Sequence, residues 1–112
     1  MIFTATTYKV LGQSNPSATT ATTLYTVPAV TQAVVSTITV CNQAATAATY
    51  RIAIRVGGAS LSNTQYIAYD VSLPANATDT LTLGITLNAA DVVTIYSSTA
   101  TMSFAAFGSE LS

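Results

Sequence analysis

The sequence predicts an all-β fold, a single antiparallel β-sandwich or jelly-roll-like domain of about eight short strands. Three observations carry this. Apolar and polar residues alternate with a period of two along several segments, the pattern of a strand with one buried and one open face. Gly, Pro and Asn punctuate the chain between those segments, as turns require. Thr and Val abound while Glu, Lys, Gln and Leu are scarce, which favours strands over helices. Alternation also argues against a parallel sheet, whose strands read as continuous apolar runs.

In chain order, Thr4 to Leu11 is a first strand. Gly12 to Thr23 is polar and almost free of large apolar groups, so it contributes little core and reads as a surface loop or an extended arm. Leu24 to Val27 is a short strand closed by Pro28. Val34 to Cys41 is longer, with Ile38 and Val40 on one face and Thr37, Thr39 and Cys41 on the other. The clearest strand is Tyr50 to Val56, where Tyr50, Ile52, Ile54 and Val56 alternate with Arg51, Ala53 and Arg55. Gly57-Gly58 ends it and Ser62-Asn63 opens the next.

From Gln65 to Leu73, alternation puts Ile67, Tyr69, Val71 and Leu73 on one face, and Tyr66, Ala68, Asp70 and Ser72 on the other. Pro74-Ala75-Asn76 is a turn. Leu81 and Leu83 alternate with Thr80 and Thr82 until Gly84, and Asn88 to Asp91 turns again. Val93, Ile95 and Ser97 alternate with Val92, Thr94 and Tyr96, and a last strand runs from Thr101 to Phe107. The expected core is Tyr50, Ile52, Ile54, Ile67, Val71, Leu81, Leu83, Ile95 and Phe104. Residues 1–23 form an N-terminal strand with its arm or loop, and residues 24–112 form the sandwich. The arm, or the strand before it, is expected to reach a neighbouring subunit through backbone hydrogen bonds.

Composition narrows the function. The chain has 112 residues, the size of one domain. Charged residues make up 6% of it, against about 25% in ordinary soluble domains. Lys9, Arg51 and Arg55 are the only cations, too few to track a row of phosphates, so nucleic acid is not an expected partner. No stretch approaches the length of apolar chain that a membrane helix needs. The first residues, Met-Ile-Phe-Thr-Ala-Thr-Thr-Tyr-Lys, lack the basic-then-apolar order of a signal peptide, which points to synthesis in a reducing interior.

Each candidate chemistry has a plainer reading. Cys41 is the single cysteine and is expected to be a buried, inert thiol. Asp70, Asp79 and Asp91 are spread over separate elements, unlike a calcium loop; Asp79 and Asp91 read as turn residues, and Asp70 as a cross-strand partner of Arg51 or Arg55. Asn76-Ala77-Thr78 matches a glycosylation acceptor but reads as a turn. Without His, and without a Gly-x-Ser-x-Gly or Ser-x-x-Lys pattern, neither a general base nor an activated nucleophile is available. No enzymatic activity, metal or cofactor is expected. Tyr50 and Tyr69 fall on core faces, and Tyr66 and Tyr96 on the opposite ones, where exposed tyrosine suits a protein interface. A charge-poor surface of Thr, Ser and Ala suits permanent burial in an assembly.

Several phrases carry a family resemblance. They are Lys9-Val10-Leu11-Gly12-Gln13, Thr23-Leu24-Tyr25-Thr26-Val27-Pro28-Ala29, Ser36-Thr37-Ile38-Thr39-Val40-Cys41-Asn42, Tyr66-Ile67-Ala68-Tyr69-Asp70-Val71, Leu81-Thr82-Leu83-Gly84-Ile85-Thr86-Leu87 and Phe107-Gly108-Ser109-Glu110-Leu111. From about Tyr8 to Leu111 the chain resembles a family of small virion structural proteins of tailed bacteriophages, often of aquatic and cyanobacterial hosts. The resemblance implies a non-enzymatic, particle-bound β protein made in the host cytoplasm. Its leading form is a capsid decoration (cement) protein, bound outside the major capsid protein shell as a homo-oligomer, a trimer. The alternatives are a tail, head-fibre or baseplate component, or a host-surface carbohydrate-binding module. The chain departs from the family after Pro28-Ala29: where relatives often carry Gly, it has Val30-Thr31-Gln32.

Overall fold

A computed structural model describes residues 5–112. Eight strands form: β1 (Thr6–Ser14), β2 (Thr22–Thr26), β3 (Gln32–Asn42), β4 (Ala48–Arg55), β5 (Tyr66–Leu73), β6 (Thr78–Leu87), β7 (Val92–Ser97) and β8 (Met102–Leu111). Two single 3₁₀ turns, Val56–Gly58 and Asn63–Gln65, lie between β4 and β5. The second is held by a reciprocal box in which Ser62 and Gln65 cap one another's backbone. The expected first strand is shifted to Thr6–Ser14, and Thr4 lies outside the described residues.

The strands make two four-stranded antiparallel sheets, sheet A in the order β1-β8-β3-β6 and sheet B in the order β2-β7-β4-β5. Strand β1 pairs β8, β2 pairs β7, β3 pairs β6 and β4 pairs β5. This is one long antiparallel ribbon folded over on itself, with β3–β8 and β4–β7 pairing closing each sheet. Such wrapping is the topology of a jelly roll. The sheets bury a common core in which Val35, Ile38, Val40, Tyr50, Ile52, Val93, Ile95, Met102 and Phe104 are essentially sealed from solvent. Tyr50 and Phe104 meet edge to face across it, with ring centroids 6.1 Å apart.

Five expected core positions behave differently, four of them on the edge strands β5 and β6 and one, Ile54, on β4. Val71 and Leu81 are half-buried against the core. Ile67 is 49% exposed and Leu83 44% exposed. Tyr69, also expected inside, is 55% exposed. Ile54, on β4, is half-buried. The reason is bulging. Between Ala53↔Tyr66 and Ile52↔Ala68 the register slips at Ile67, and between Ile52↔Ala68 and Tyr50↔Val71 it slips again. Each extra residue moves the following side chains to the other face. Ala68, Val71 and Leu73 therefore turn inward, in place of a strict odd-numbered set.

In β6 the bulge is at Leu83-Gly84, opposite the Val35–Thr37 step of β3. Gly84 takes φ +73°, a conformation that glycine adopts without penalty. The bulge belongs to a row that crosses sheet A. Strand β1 slips between Val10 and Gly12, and β3 between Val35 and Thr37, both at the level of Phe107 in β8. Strands come unusually close there: a Cβ on Gly108 would sit 1.9 Å from the Val34 carbonyl oxygen.

Residues 12–23, readable from sequence as arm or loop, stay within this chain's own sandwich. Gly12 to Ser14 complete β1, and Thr22 begins β2. Between them, Asn15 donates to the carbonyls of Met102 and Ala100, Pro16 is buried, and the Thr19 amide donates to Ser97 O at 2.8 Å. These hydrogen bonds, with the burial of Pro16, tie the loop down.

Candidate functional site

Sheet B carries the densest group of chemically capable side chains on its outer face. Arg51 (β4) reaches over to Asp70 (β5), with Nε donating to Oδ1 at 2.6 Å and Nη2 to Oδ2 at 3.3 Å. Asp70 can face Arg51 because the bulge puts it at φ +49°, a left-handed conformation that Asp tolerates better than most residues. The guanidinium lies over two rings, 4.2 Å from the centroid of Tyr69 and 4.3 Å from that of Tyr96 on β7. Tyr66 meets Tyr69 edge-on at 4.9 Å. The hydrogen bond to Asp70 pushes the Arg51 pKa further up, so this group is a fixed cation, already paired.

Beside this stack is a recess of about 210 Å³. Ala53, Thr94, Tyr66 and Tyr96 are among the residues that line it. Thr19 and Ala21 of the β1–β2 loop and Leu61 of the β4–β5 connection line it as well. Thr94 is 95% buried, and its Oγ1 has no hydrogen-bond partner.

The outer face of sheet A has a different character. Cross-strand rows place Tyr8 beside Ser109 and Val34, and Val10 beside Phe107 and Thr37. Tyr8 is 85% exposed, and Val10 and Val34 are exposed too. With Phe107 they line a broad, shallow depression. Lys9 is the one cation at its margin and pairs with Glu110 at 3.3 Å. A second apolar opening lies between the edges of the two sheets, lined by Ile67, Val71, Leu81 and Leu83.

Two tyrosines bridge the sheets. Tyr25 of β2 donates to Glu110 of β8, and Tyr50 of β4 donates to Asp79 of β6 at 2.8 Å. Burial, then the bond to the carboxylate and its charge, push both phenols well above the ordinary tyrosine pKa.

The remaining sequence candidates fall as follows. Cys41 is half-buried on the outer face of sheet A, not sealed as expected, because the outer side of β3 has no covering layer. Asp79 belongs to β6 rather than to a turn, while Asp91 sits in its turn and accepts the amides of Gly57 and Asn88. Asn76 occupies the β5–β6 turn at φ +55°. Of the two arginines open to Asp70, Arg51 is the partner; Arg55 donates instead to the Gly58 and Ala59 carbonyls. Among the described residues, no three His, Cys, Asp or Glu side chains gather as a metal site would require, and no helix is long and apolar enough to cross a membrane.

Sequence alone missed the recess. Outward placement of Arg51, Tyr66 and Tyr96 was readable from alternation. That β5, β4 and β7 are adjacent, which brings the three together, needed the topology. Comparison with protein-family models and with curated proteins finds no match to this chain.

Proposed function

We propose that this chain is a non-enzymatic structural protein of a phage virion, a capsid decoration (cement) protein that binds outside the major capsid lattice as a homo-oligomer, a trimer. The observation that carries the reading is the outer face of sheet A. Tyr8, Val10 and Val34 are exposed there and share a shallow depression with Phe107, in a chain with only seven formal charges. An exposed apolar patch of this kind marks a contact surface, and one so poor in charge suits a lasting, dry contact. The family resemblance of the sequence supports the same assignment, and the jelly roll is a fold used in virus particles, though also in lectins and other proteins.

Counting copies in purified particles tests the reading. Quantitative mass spectrometry against the major capsid protein should give hundreds of copies per virion. A few tens or fewer would place the chain in the tail, fibre or baseplate. Val10→Asp should leave the isolated domain folded, since Val10 is outside the core, yet abolish its retention on particles. Retention of the variant would remove the outer face of sheet A as the contact.

A further inference from the structure

We propose that the free edge of β1 is a self-association surface, at which β1 of one copy pairs antiparallel with β1 of a second copy about a twofold axis through Tyr8. The contact does not depend on a decoration role, so the two readings stand or fall separately.

The sandwich has four edge strands, β1 and β6 in sheet A and β2 and β5 in sheet B. Strand β2 has five residues and a register slip, and β5 has two slips. Strand β6 is broken at Leu83-Gly84, and its longer run, Thr78–Thr82, is half-buried on one face. Strand β1 keeps unbroken register with β8 from Thr6 to Val10, and residues 5–10 are exposed on both faces. Thr6, Thr7, Tyr8 and Val10 in this run are residue types that favour strands. Lys9 is the kind of charge that protects an edge, but it turns to Glu110 of its own sheet at 3.3 Å. Among the described residues nothing pairs with this edge, and an unguarded edge is a template for another strand.

Hydrogen-bond direction selects the register. Ala5 and Ser112 exchange both backbone bonds, and in an antiparallel ladder such pairs recur at every second residue. Thr7 and Lys9 therefore point their N–H and C=O at β8, and Thr6, Tyr8 and Val10 point theirs at the free edge. With Tyr8 opposite Tyr8 of the second copy, Thr6 falls opposite the second copy's Val10, and all three residues pair at once. Lys9 then faces a threonine, Thr7 of the second copy. Centring the axis on Lys9 instead sets two ammonium groups opposite each other, and centring it on Thr7 carries Val10 past Thr6, where the strand ends. The residues that bond across the axis are those whose side chains stand on the outer face of sheet A. Pairing thus sets two exposed tyrosines side by side, a favourable cross-strand pair. An unrelated strand would satisfy the same backbone bonds; the self-matching of Tyr8 and the neutral facing of Lys9 favour a second copy. A twofold contact also closes at two copies and leaves no β1 edge open.

The test is sedimentation of the full chain from about 1 to 300 μM, a range suited to a contact smaller than a standard interface. Association to an even number of copies is expected: two, or six where a threefold contact elsewhere combines with the twofold. Tyr8→Pro removes an N–H that points away from β8, a position at which an edge strand accepts proline. The circular dichroism of the fold should therefore persist while association is lost. Tyr8→Cys reads the register directly. Cα atoms of a hydrogen-bonded cross-strand pair are about 5.5 Å apart, within disulfide reach. Mild oxidation should link two copies of this variant, whereas the parent, with Cys41 alone, should stay unlinked. A monomer or a trimer throughout the concentration range overturns the proposal. So does unchanged association in a folded Tyr8→Pro, or the absence of linking in Tyr8→Cys. None of these measurements reads particle binding, so failure here leaves the decoration reading standing.

Discussion

Strand β7 lies between β2 and β4 and keeps its expected inward face, with Val93, Ile95 and Ser97 completely buried, while Val92 and Thr94 on the other face are nearly so. Strands β5 and β6 are each bonded on one side only, and there alternation fails, with Ile67 and Leu83 opening to solvent. The sequence patterns of the two regions look equally regular. The difference is mechanical. A strand paired on both sides cannot take up an extra residue without disturbing two ladders, whereas an edge strand disturbs one. Bulges at Ile67, Asp70 and Leu83-Gly84 lie at the edges, where they also blunt a row of unpaired backbone groups that would otherwise invite aggregation; the one in central β3, at Ser36, disturbs both of its ladders.

The most direct way to break this comparison is to truncate one isoleucine from each region. Ile52→Ala, in the sealed centre of β4, should cost about 2–5 kcal/mol, enough to threaten a domain of this size. Ile67→Ala, same chemistry at the bulged edge, should cost under about 0.5 kcal/mol. Urea denaturation of both variants measures the gap. Equal costs would mean that the β5 edge is covered as thoroughly as the centre.

What was legible in sequence follows the same division. The all-β class, the position of every strand from β3 onward within a few residues, and the buried roles of Tyr50, Ile52, Ile95 and Phe104 came from alternation and turn residues. Tyr69 and Leu83 did not, because a bulge leaves no dependable mark in composition: Gly84 is one sign, but Asp70 reads as an ordinary strand residue. The polar tract at 12–23 could be loop or arm because its anchors, Asn15 to Met102 O and Thr19 N to Ser97 O, join positions far apart in the chain. The recess was illegible for the same reason. Its parts come from four separate stretches, and only sheet order assembles them.

The inter-sheet tyrosines sharpen the comparison, because each ties an edge strand to a central strand of the opposite sheet: Tyr25 of edge β2 to Glu110 of β8, and Tyr50 of central β4 to Asp79 of edge β6. Both phenols have pKa values raised by folding. A raised value means that the folded state holds its proton more tightly than the unfolded chain, whose tyrosines titrate near about 10. Their contribution is complete below that pH and is lost as pH climbs toward the folded values. Melting temperature should thus fall above pH 10, by up to about 1.4 kcal/mol of stability per pH unit for each tyrosine. Tyr25→Phe combined with Tyr50→Phe should flatten that fall while lowering stability at pH 7, where two carboxylates lose a donor. An alkaline slope identical to that of the parent would show that these phenols titrate normally.

The smallest effect concerns the turn between β2 and β3, at Val30. Val30 has φ +55°. That region is strained for a β-branched residue, at a cost of about 1–2 kcal/mol relative to ordinary backbone. Nothing offsets it through burial, since Val30 is 53% exposed. Gly84, at φ +73° in the β6 bulge, shows the same backbone region filled by the residue that suits it. Val30→Gly relieves the strain but adds freedom to the unfolded chain, which takes back about 0.5–1 kcal/mol. The balance should be a gain of roughly 0.5–1 kcal/mol, a rise of a few degrees in melting temperature for a domain this size. Calorimetry of the single variant decides it. A loss of stability would mean that the Val30 side chain makes a contribution larger than its strain, and that this turn, unlike the edge bulges, is held by the residue it carries.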